Sequence, residues 1–266
     1  MTKTRPYVLS IAGFDPSGGA GVLADVKTFE ANKVYGFGVM SALTFQNDVE
    51  FEKVEWIPLE KIMEQITVLQ KRFQFEYIKI GLIENLEILN QLILNLKSNI
   101  SNPKIIWDPI LKATAGFDFH NEINKKLLEE ICKNSFLITP NFDEIKKLTD
   151  EKDEKKAAQD LSKFCNVFLK GGHKPLSNSP QRGESELGRD YLLLSPPLRG
   201  GREGLFSFRA KQKIEFGKHG SGCVLSSAIT ANLAKGFKLH RACLKAKQYT
   251  AGFLNSNKNL LGYHKI

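Results

Sequence analysis

Short apolar runs alternate along the chain with longer segments whose apolar positions recur at helical spacing. The apolar runs predict strands at Tyr7–Ala12, Phe37–Leu43, Tyr77–Ile80, Ile105–Trp107, Phe136–Ile138 and Val167–Leu169. The periodic segments predict helices at Gly21–Asn32, Leu59–Arg72, Leu86–Lys97, Glu122–Asn134, Phe142–Leu148, Glu154–Phe164, Gly222–Lys235 and His240–Asn255. This alternation is typical of an α/β fold with a mostly parallel sheet between helices. Functional loops of such folds gather at the carboxyl ends of the strands.

Residues 173–204 interrupt the alternation, because they are crowded with Pro, Gly, Ser and Arg. Two similar phrases, which begin at Ser179 and Ser195, flank a short strand-like run at Asp190–Leu194. The pattern predicts an extended surface loop region at about 174–204, arranged around an antiparallel edge strand. A segment that docks a partner is the alternative, but no specific motif supports it.

Composition favours a cytoplasmic protein. The 266 residues are 42% hydrophobic and 25% charged, which is ordinary for a globular chain. No stretch approaches the roughly 18 apolar residues of a membrane span, and the apolar run at Tyr7–Ala12 is too short for a signal peptide. No CxxC pair or zinc-ligand spacing occurs among the cysteines, and such unpatterned thiols favour a reducing compartment; they are Cys132, Cys165, Cys223 and Cys243.

The net charge of +9 raises the question of nucleic-acid binding. The lysines are spread along the chain and interleaved with acidic residues, as in Lys152–Lys156, which is typical of solvated helix faces. No aromatic–basic motif accompanies the charge. We therefore expect no nucleic-acid partner, while an anionic substrate is compatible with the charge.

A glycine-rich turn follows the first predicted strand. The sequence AGFDPSGGAGVLADVKTF begins at Ala12, and Gly18, Gly19 and Gly21 open the first predicted helix. Glycines allow backbone N–H groups to approach a ligand closely, and a helix N-terminus favours anionic groups. The turn is neither a Walker A sequence nor a GxGxxG fingerprint, so dinucleotide binding has no specific support.

Three polar residues near this turn are candidates for binding a substrate. Asp25 lies in the first predicted helix, where an exposed acid near the helix N-terminus is the alternative interpretation. Gln46 and Asn47 follow the second strand, and an amide there can read the donors and acceptors of a heterocycle.

A second glycine motif, KHGSGC, begins at Lys218 and opens a helix rich in Ala and Ser. Gly220, Ser221 and Gly222 place consecutive backbone N–H groups at that terminus, which predicts an anion hole suited to a phosphoryl group. A helix N-terminus also lowers the pKa of a thiol, so Cys223 is a candidate general base. The alternative is a buried cysteine on a tightly packed helix.

Together the two motifs resemble those of the hydroxymethylpyrimidine/phosphomethylpyrimidine kinases, a branch of the ribokinase-like superfamily. Blocks between them match that family in order: ALTFQN, YIKIGLIEN, WDPILKATAG, ITPNFDEIKKL and FLKGGH. The resemblance covers nearly the whole chain except 174–204. It implies a single ribokinase-like domain over residues 1–266, a three-layer α/β/α sandwich, ATP and Mg²⁺ as cofactors, and a homodimer.

The resemblance also implies roles for individual residues. Those matching positions around the pyrimidine are Gly13, Asp25, Gln46, Leu82 and Ile110. Those near the nucleotide phosphates are Asp108, Asn141, Glu144 and Lys170, of which Asp108 and Glu144 would be the magnesium ligands. The catalytic group comprises Gly220, Ser221, Gly222 and Cys223, with Cys223 in the place of the base, where sugar kinases commonly carry Asp.

The sequence departs from the family pattern at two places in these motifs. Phe14 stands where Ser is usual, which could reshape the substrate side, and Ser221 replaces Thr but keeps the hydroxyl. The implied activity is phosphorylation of hydroxymethylpyrimidine and then of its monophosphate. A pyridoxal or pyridoxine kinase and a catalytically silent binding protein are the alternatives.

Overall fold

The computed structural model describes residues 4–111, 123–171, 189–195, 204–209 and 215–265. Within these ranges the strands are β1 (Tyr7–Phe14), β2 (Tyr35–Gln46), β3 (Phe51–Trp56), β4 (Tyr77–Ile80), β5 (Lys104–Trp107), β6 (Leu137–Ile138), β7 (Asn166–Leu169), β8 (Asp190–Leu193) and β9 (Leu205–Phe208). The helices are α1 (Gly21–Ala31), α2 (Leu59–Gln70), α3 (Leu86–Asn99), α4 (Lys125–Asn134), α5 (Phe142–Thr149), α6 (Glu154–Ser162), α7 (Ser221–Ala234) and α8 (Leu239–Leu254).

The strands form one sheet in the order β3-β2-β1-β4-β5-β6-β7-β8-β9. The six strands from β2 to β7 in this order run parallel to one another. At the two edges, β3 pairs antiparallel with β2, β8 with β7, and β9 with β8. The first parallel connection runs from β1 to β2, and the later ones proceed outward on the other side of β1. The direction of winding therefore reverses next to β1, and ligands of open α/β sheets bind in the crevice at such a reversal.

Helices cover both faces of the sheet. On one face, α2 to α6 share a hydrophobic core with the strands, to which they contribute Ile62, Leu92, Ile131, Ile145 and Leu161. On the other face, α7 and α8 pack on the sheet through Ile229, Leu233 and Ala246, and α1 meets α7 through Phe29 and Ala231. This three-layer α/β/α arrangement confirms the predicted fold class.

The sequence-based prediction misses strands at both edges of the sheet. The strand β3 is half-exposed and alternates apolar with charged residues, which gave no continuous apolar run. The run at Asp190–Leu194 does form an antiparallel strand, β8, but β9 lies outside it, so the prediction that it is the edge strand was wrong. Most of the predicted loop region lies outside the described residues, namely 172–188 and 196–203.

The structure also bears on membrane crossing and cysteine chemistry. None of the helices in the described part of the chain is long and apolar enough to cross a membrane. All four cysteines are free and buried.

Candidate active site

A cavity of about 690 Å³ opens at the carboxyl ends of the parallel strands, where the winding of the sheet reverses. Of the thirteen residues to which the resemblance assigns roles, twelve line it: Gly13, Gln46, Leu82, Asp108, Ile110, Asn141, Glu144, Lys170, Gly220, Ser221, Gly222 and Cys223. Residues that are far apart in sequence are brought together because parallel strands end at the same edge of a sheet.

The two glycine motifs interlock at this cavity. Gly220 precedes α7 with φ +69°, and a side chain there would clash with the carbonyl oxygen of Gly19. Gly21 begins α1 with φ +60°, and a side chain there would clash with the carbonyl oxygen of Gly13. Both positions therefore require glycine for backbone conformation and for close approach. The helix terminus that carries Cys223 is thus set directly against the first turn.

A buried hydrogen-bonded pair joins the two motifs. The Nε2 atom of His219 lies 2.8 Å from Oδ2 of Asp15. Asp15 also accepts bonds from the N–H and hydroxyl of Ser17 and from the N–H of Ala20. Burial acts to raise the pKa of the Asp15 carboxyl, but these hydrogen bonds outweigh it and hold the pKa below its usual value. The sequence analysis did not identify this pair.

Cys223 lies in the first turn of α7 and is buried. Ser221, Gly222 and Cys223 carry N–H groups that precede the first intrahelical bond, so they are available to an anion. The expected lowering of the Cys223 pKa was wrong. Burial raises the pKa of the thiol to about 11, and the Lys79 ammonium and the Gly21 N–H, which favour the thiolate, only reduce that rise.

A second cluster of charges faces the anion hole. Lys170 Nζ lies 2.7 Å from Oδ1 of Asp108 and 3.7 Å from Oε2 of Glu144. Asp108 also accepts bonds from the hydroxyls of Thr139 and Ser226. Its carboxyl is buried, yet the nearby ammonium groups hold its pKa below the usual value. A side chain at Gly222 would place its Cβ 3.4 Å from Lys170 Nζ, so this ammonium adjoins the anion hole.

Glu144 and Asn141 are also structural residues at the start of α5. The side chain of Asn141 accepts bonds from the N–H groups of Asp143 and Glu144, while Glu144 Oε2 accepts the N–H of Asn141. This reciprocal arrangement is a capping box. Burial raises the pKa of Glu144 to about 7, despite the nearby Lys170 ammonium, and the charge of Asp108 adds to the rise. A negative charge on Glu144, next to the carboxylate of Asp108, is therefore disfavoured unless a cation compensates it.

The pyrimidine-side candidates form an apolar wall with one amide. Leu82 lies beside Gly13, and Ile110 adds a second apolar side chain to the cavity lining. Gln46 Nε2 donates to the hydroxyl of Thr44 at 2.8 Å, which orients the amide at the cavity wall. Asn47 instead uses its side chain to accept two N–H groups in the turn between β2 and β3. Of the two amides, only Gln46 lines the cavity.

Asp25 is the predicted site residue that does not line the cavity. It is fully buried, so the alternative interpretation as an exposed helical acid was wrong. Both of its carboxylate oxygens lie 2.8 Å from Nζ of Lys79. Ser10 and Ser227 donate further bonds to it. Sequence reasoning missed Lys79, although a lysine in the short buried strand β4 was a usable signal, since such a charge requires a partner.

The far end of the cavity is formed by α8. Lys247 lies 2.7 Å from Oδ2 of Asp190, and Asp190 accepts the N–H of Gly171 through Oδ1. Thr250, Ala251 and Leu254 continue the same wall, which is largely apolar. The sequence analysis singled out none of these positions, because helix α8 has no motif of its own.

The fold and the cavity define a class of protein. A helix terminus with free N–H groups, a thiol in its first turn and a lysine held by carboxylates meet in one crevice of a three-layer α/β/α sandwich. This combination places the protein in the ribokinase-like class of α/β folds.

Comparison with known proteins narrows the class to a family. Residues 15–265 match the family model described as phosphomethylpyrimidine kinase. The chain belongs to the phosphomethylpyrimidine kinase family. It is 34% identical over 264 residues to a hydroxymethylpyrimidine/phosphomethylpyrimidine kinase of Aquifex aeolicus, covering 96% of this chain and 97% of that protein.

A relative in Saccharomyces cerevisiae, also described as a hydroxymethylpyrimidine/phosphomethylpyrimidine kinase, is 33% identical over 257 residues. That match covers 92% of this chain but only 45% of the yeast protein, so this chain spans less than half the length of that relative.

Two solved structures share the fold. A phosphomethylpyrimidine kinase from Clostridium difficile aligns with a TM-score of 0.71 and 28% identity, over 92% of this chain and 98% of that one. A pyridoxal kinase from Staphylococcus aureus in complex with AMP-PCP aligns with a TM-score of 0.74 and 23% identity, over 97% and 91% of the two chains. The second similarity concerns the fold alone.

Proposed function

We propose that the protein transfers the γ-phosphoryl group of ATP to the hydroxymethyl oxygen of 4-amino-5-hydroxymethyl-2-methylpyrimidine. It then phosphorylates the monophosphate to the pyrophosphate ester, in thiamine biosynthesis in the cytoplasm. One observation carries the proposal: a single cavity holds Cys223, the N–H groups of the α7 terminus and the Asp108–Lys170–Glu144 cluster. Membership of the phosphomethylpyrimidine kinase family supports the choice of substrate.

In the proposed reaction, the hydroxymethyl group lies between Cys223 and the γ-phosphorus. Its oxygen forms a bond to phosphorus while the bond from phosphorus to the bridging oxygen of ADP breaks, and ADP leaves with that electron pair. Cys223, as thiolate, accepts the hydroxyl proton. The N–H groups from Gly220 to Cys223 hold the transferring group, whose charge spreads over its equatorial oxygens. Lys170 adds positive charge at that end of the cavity.

The residues that would hold the pyrimidine differ in character from those at the phosphates. Gly13, Leu82 and Ile110 enclose the ring, and Gln46 reads its polar edge through the amide. Asp25, which the resemblance also assigns to the pyrimidine side, lies outside the cavity lining and bonds to Lys79 through both of its oxygens.

Two carboxylates fit a magnesium ion that is held jointly with substrate phosphates. Mg²⁺ prefers oxygen donors and commonly binds through one or two carboxylates together with phosphates and waters. Asp108 and Glu144 provide such oxygens at the cavity. Groups of three or more metal-ligating side chains are absent from the described residues. When bound, the ion would neutralise developing phosphate charge, while Asp108 and Glu144 position it.

The substrate assignment is tested by measuring ATP consumption with hydroxymethylpyrimidine, its monophosphate and pyridoxine in parallel, with products identified by mass. We expect turnover of the first two. Turnover of pyridoxine alone would overturn the thiamine assignment and support vitamin B6 salvage, the alternative that the fold similarity to pyridoxal kinase allows. Absence of turnover with all three would favour a catalytically silent binding protein.

The role of Glu144 predicts a changed magnesium requirement. Glu144→Gln keeps a side chain that can complete the capping box but removes the carboxylate. We expect the Mg²⁺ concentration for half-maximal rate to rise about tenfold or more, as when support of a metal site is lost. The measurement is initial rate against Mg²⁺ at saturating ATP.

Asp153→Asn is the matched control, because Asp153 is a helix-capping carboxylate of α6 and does not line the cavity. Its magnesium dependence should equal that of the unmodified protein. An unchanged requirement in Glu144→Gln would remove Glu144 from the metal site.

A further inference from the structure

Lys79 occupies an unusual position for a charged residue. It is the third residue of β4, and its neighbours Ile78 and Ile80 point into the core under α2 to α6. Since side chains alternate along a strand, Lys79 points to the opposite face, toward α1 and α7. There it is fully buried. A buried ion pair is weak evidence for a role in stability alone, because the desolvation cost offsets the attraction.

The Lys79–Asp25 ion pair is bonded to α7 at Ser227, one helical turn after Cys223. Asp25 holds it through both carboxylate oxygens at 2.8 Å. Ser227 donates to Oδ1 of Asp25 at 2.7 Å, and Ser10, beside Lys79 in the sheet, donates to Oδ2 at 2.5 Å. Ser227 follows Cys223 by four residues, which places both on the same face of α7. The ion pair is therefore tied to the helix that presents the thiol.

The ammonium also adjoins the floor of the cavity. The Cβ position of Gly81 lies 3.2 Å from Lys79 Nζ and 3.6 Å from Cδ1 of Ile110, which lines the cavity. Because Gly81 has no side chain, no bulky group separates the ammonium from that wall.

Charged groups from several elements face the region of Cys223. Asp25 comes from α1 and Lys79 from β4, while Asp108 and Lys170 follow β5 and β7 and are bonded to each other. On α8, Lys247 is paired with Asp190 at the far end of the cavity. Among the groups that act on the thiol, Lys79 is the one that most favours its thiolate, whereas Asp108 and Asp25 oppose it.

We propose that Lys79 is a positioning residue whose buried ammonium stabilises the thiolate of Cys223, and that Asp25, Ser10 and Ser227 hold the ammonium in place. Its catalytic consequence rests on the proposed function of Cys223 as the base. The electrostatic effect of Lys79 on the thiol needs neither substrate nor nucleotide. The proposal about Lys79 and the proposed role of Cys223 as the base can therefore fail separately.

The test measures the rate at which iodoacetamide labels Cys223 at a fixed pH of about 8.5, near the usual cysteine pKa, with the labelled peptide quantified by mass. The double variant Lys79→Met with Asp25→Asn removes both charges. We expect it to label at least about threefold more slowly, because each pH unit of thiol pKa changes the thiolate fraction tenfold and nucleophilicity offsets about half of that. Asp25→Asn alone removes only the opposing negative charge and should label faster.

The matched control removes an ion pair far from Cys223. Lys104→Met with Glu76→Gln eliminates a 3.0 Å pair between the start of β5 and the residue just before β4, outside the cavity. Labelling of Cys223 in this control should equal that of the unmodified protein. Thermal unfolding of each variant monitors the fold.

An unchanged labelling rate in the Lys79/Asp25 double variant would overturn the proposal. Equally slow labelling in the double variant and in Asp25→Asn alone would also overturn it. An effect of charge should change the labelling rate in opposite directions in these two variants, whereas disturbed packing should slow it in both. In a kinase assay, the acid limb of kcat/KM should shift to higher pH in the double variant. Lys79→Arg retains the positive charge, so it should keep most of the labelling rate of the unmodified protein.

Discussion

Replacement of Cys223 by alanine is expected to lower kcat by a factor on the order of 10² or more, as for removal of a general base. The thiol is the only group of its kind in the described cavity lining, and it stands beside the N–H groups of Ser221 and Gly222. Alanine keeps the helix and loses only one sulfur atom, so the fold should persist. The measurement is kcat for hydroxymethylpyrimidine phosphorylation, with circular dichroism to verify the fold.

The same variant should lose a pH dependence. Because burial raises the pKa of Cys223 to about 11, the thiolate is a minor species near neutral pH and its fraction grows tenfold per pH unit up to that pKa. For the unmodified protein, kcat/KM should therefore rise with pH across the neutral and mildly alkaline range. In Cys223→Ala this rise should disappear.

Cys243→Ala is the control for loss of a buried thiol. Cys243 is a fully buried residue of α8 that does not line the cavity. This variant should retain kcat and the pH profile, with only a small loss of stability. Near-normal turnover in Cys223→Ala would remove Cys223 from the mechanism.

Gly220→Ala is expected to have the second large effect, on stability and activity together. The substitution forces a residue with a Cβ into φ +69° and drives that atom into the carbonyl oxygen of Gly19. Positive φ costs an alanine about 1 kcal/mol, and overpacking adds about 1–3 kcal/mol. Since the displaced groups form the anion hole, kcat should fall with stability. Chemical denaturation and initial rates measure the two effects.

Gly236→Ala separates the clash from the backbone strain. Gly236 follows α7 with φ +85°, but a Cβ there would meet nothing within 4 Å. It should lose only about 1 kcal/mol of unfolding free energy and keep its activity. Equal losses in the two variants would contradict the interlocked arrangement of the turns.

Much of the fold could be predicted from the sequence where periodicity was strong. Buried parallel strands such as β4 read as short apolar runs, and helices such as α3 carry a regular apolar face. Edge strands gave weaker signals. In β3 the charged residues of FEKVEW face solvent, so its pattern resembles that of a polar connection. Only pairing with β2 identifies it as a strand.

The sequence was sufficient to predict which residues line the cavity, but not their ion pairs or the shift of the Cys223 pKa. The glycine motifs, the ends of parallel strands and the resemblance to a known kinase family together named twelve residues that line the cavity. The ion pair of Asp25 was not predicted, because its partner, Lys79, lies 54 residues away. The predicted direction of the Cys223 pKa shift was wrong for a related reason. A helix N-terminus favours the thiolate, but burial of the thiol outweighs that effect. Burial depends on tertiary packing that no local motif contains.

The anion hole also depends on the last described residues of the chain. The N–H of His219 donates to the carbonyl oxygen of Leu260, and Lys218 donates to that of Asn257. The side chain of Leu261 adjoins Gly19, in the first turn. Closing contacts between such distant parts of the chain costs loop entropy that only the assembled core repays. We therefore expect the α7 terminus and the first turn to reach their final arrangement only when the segment around Leu260 has docked against them.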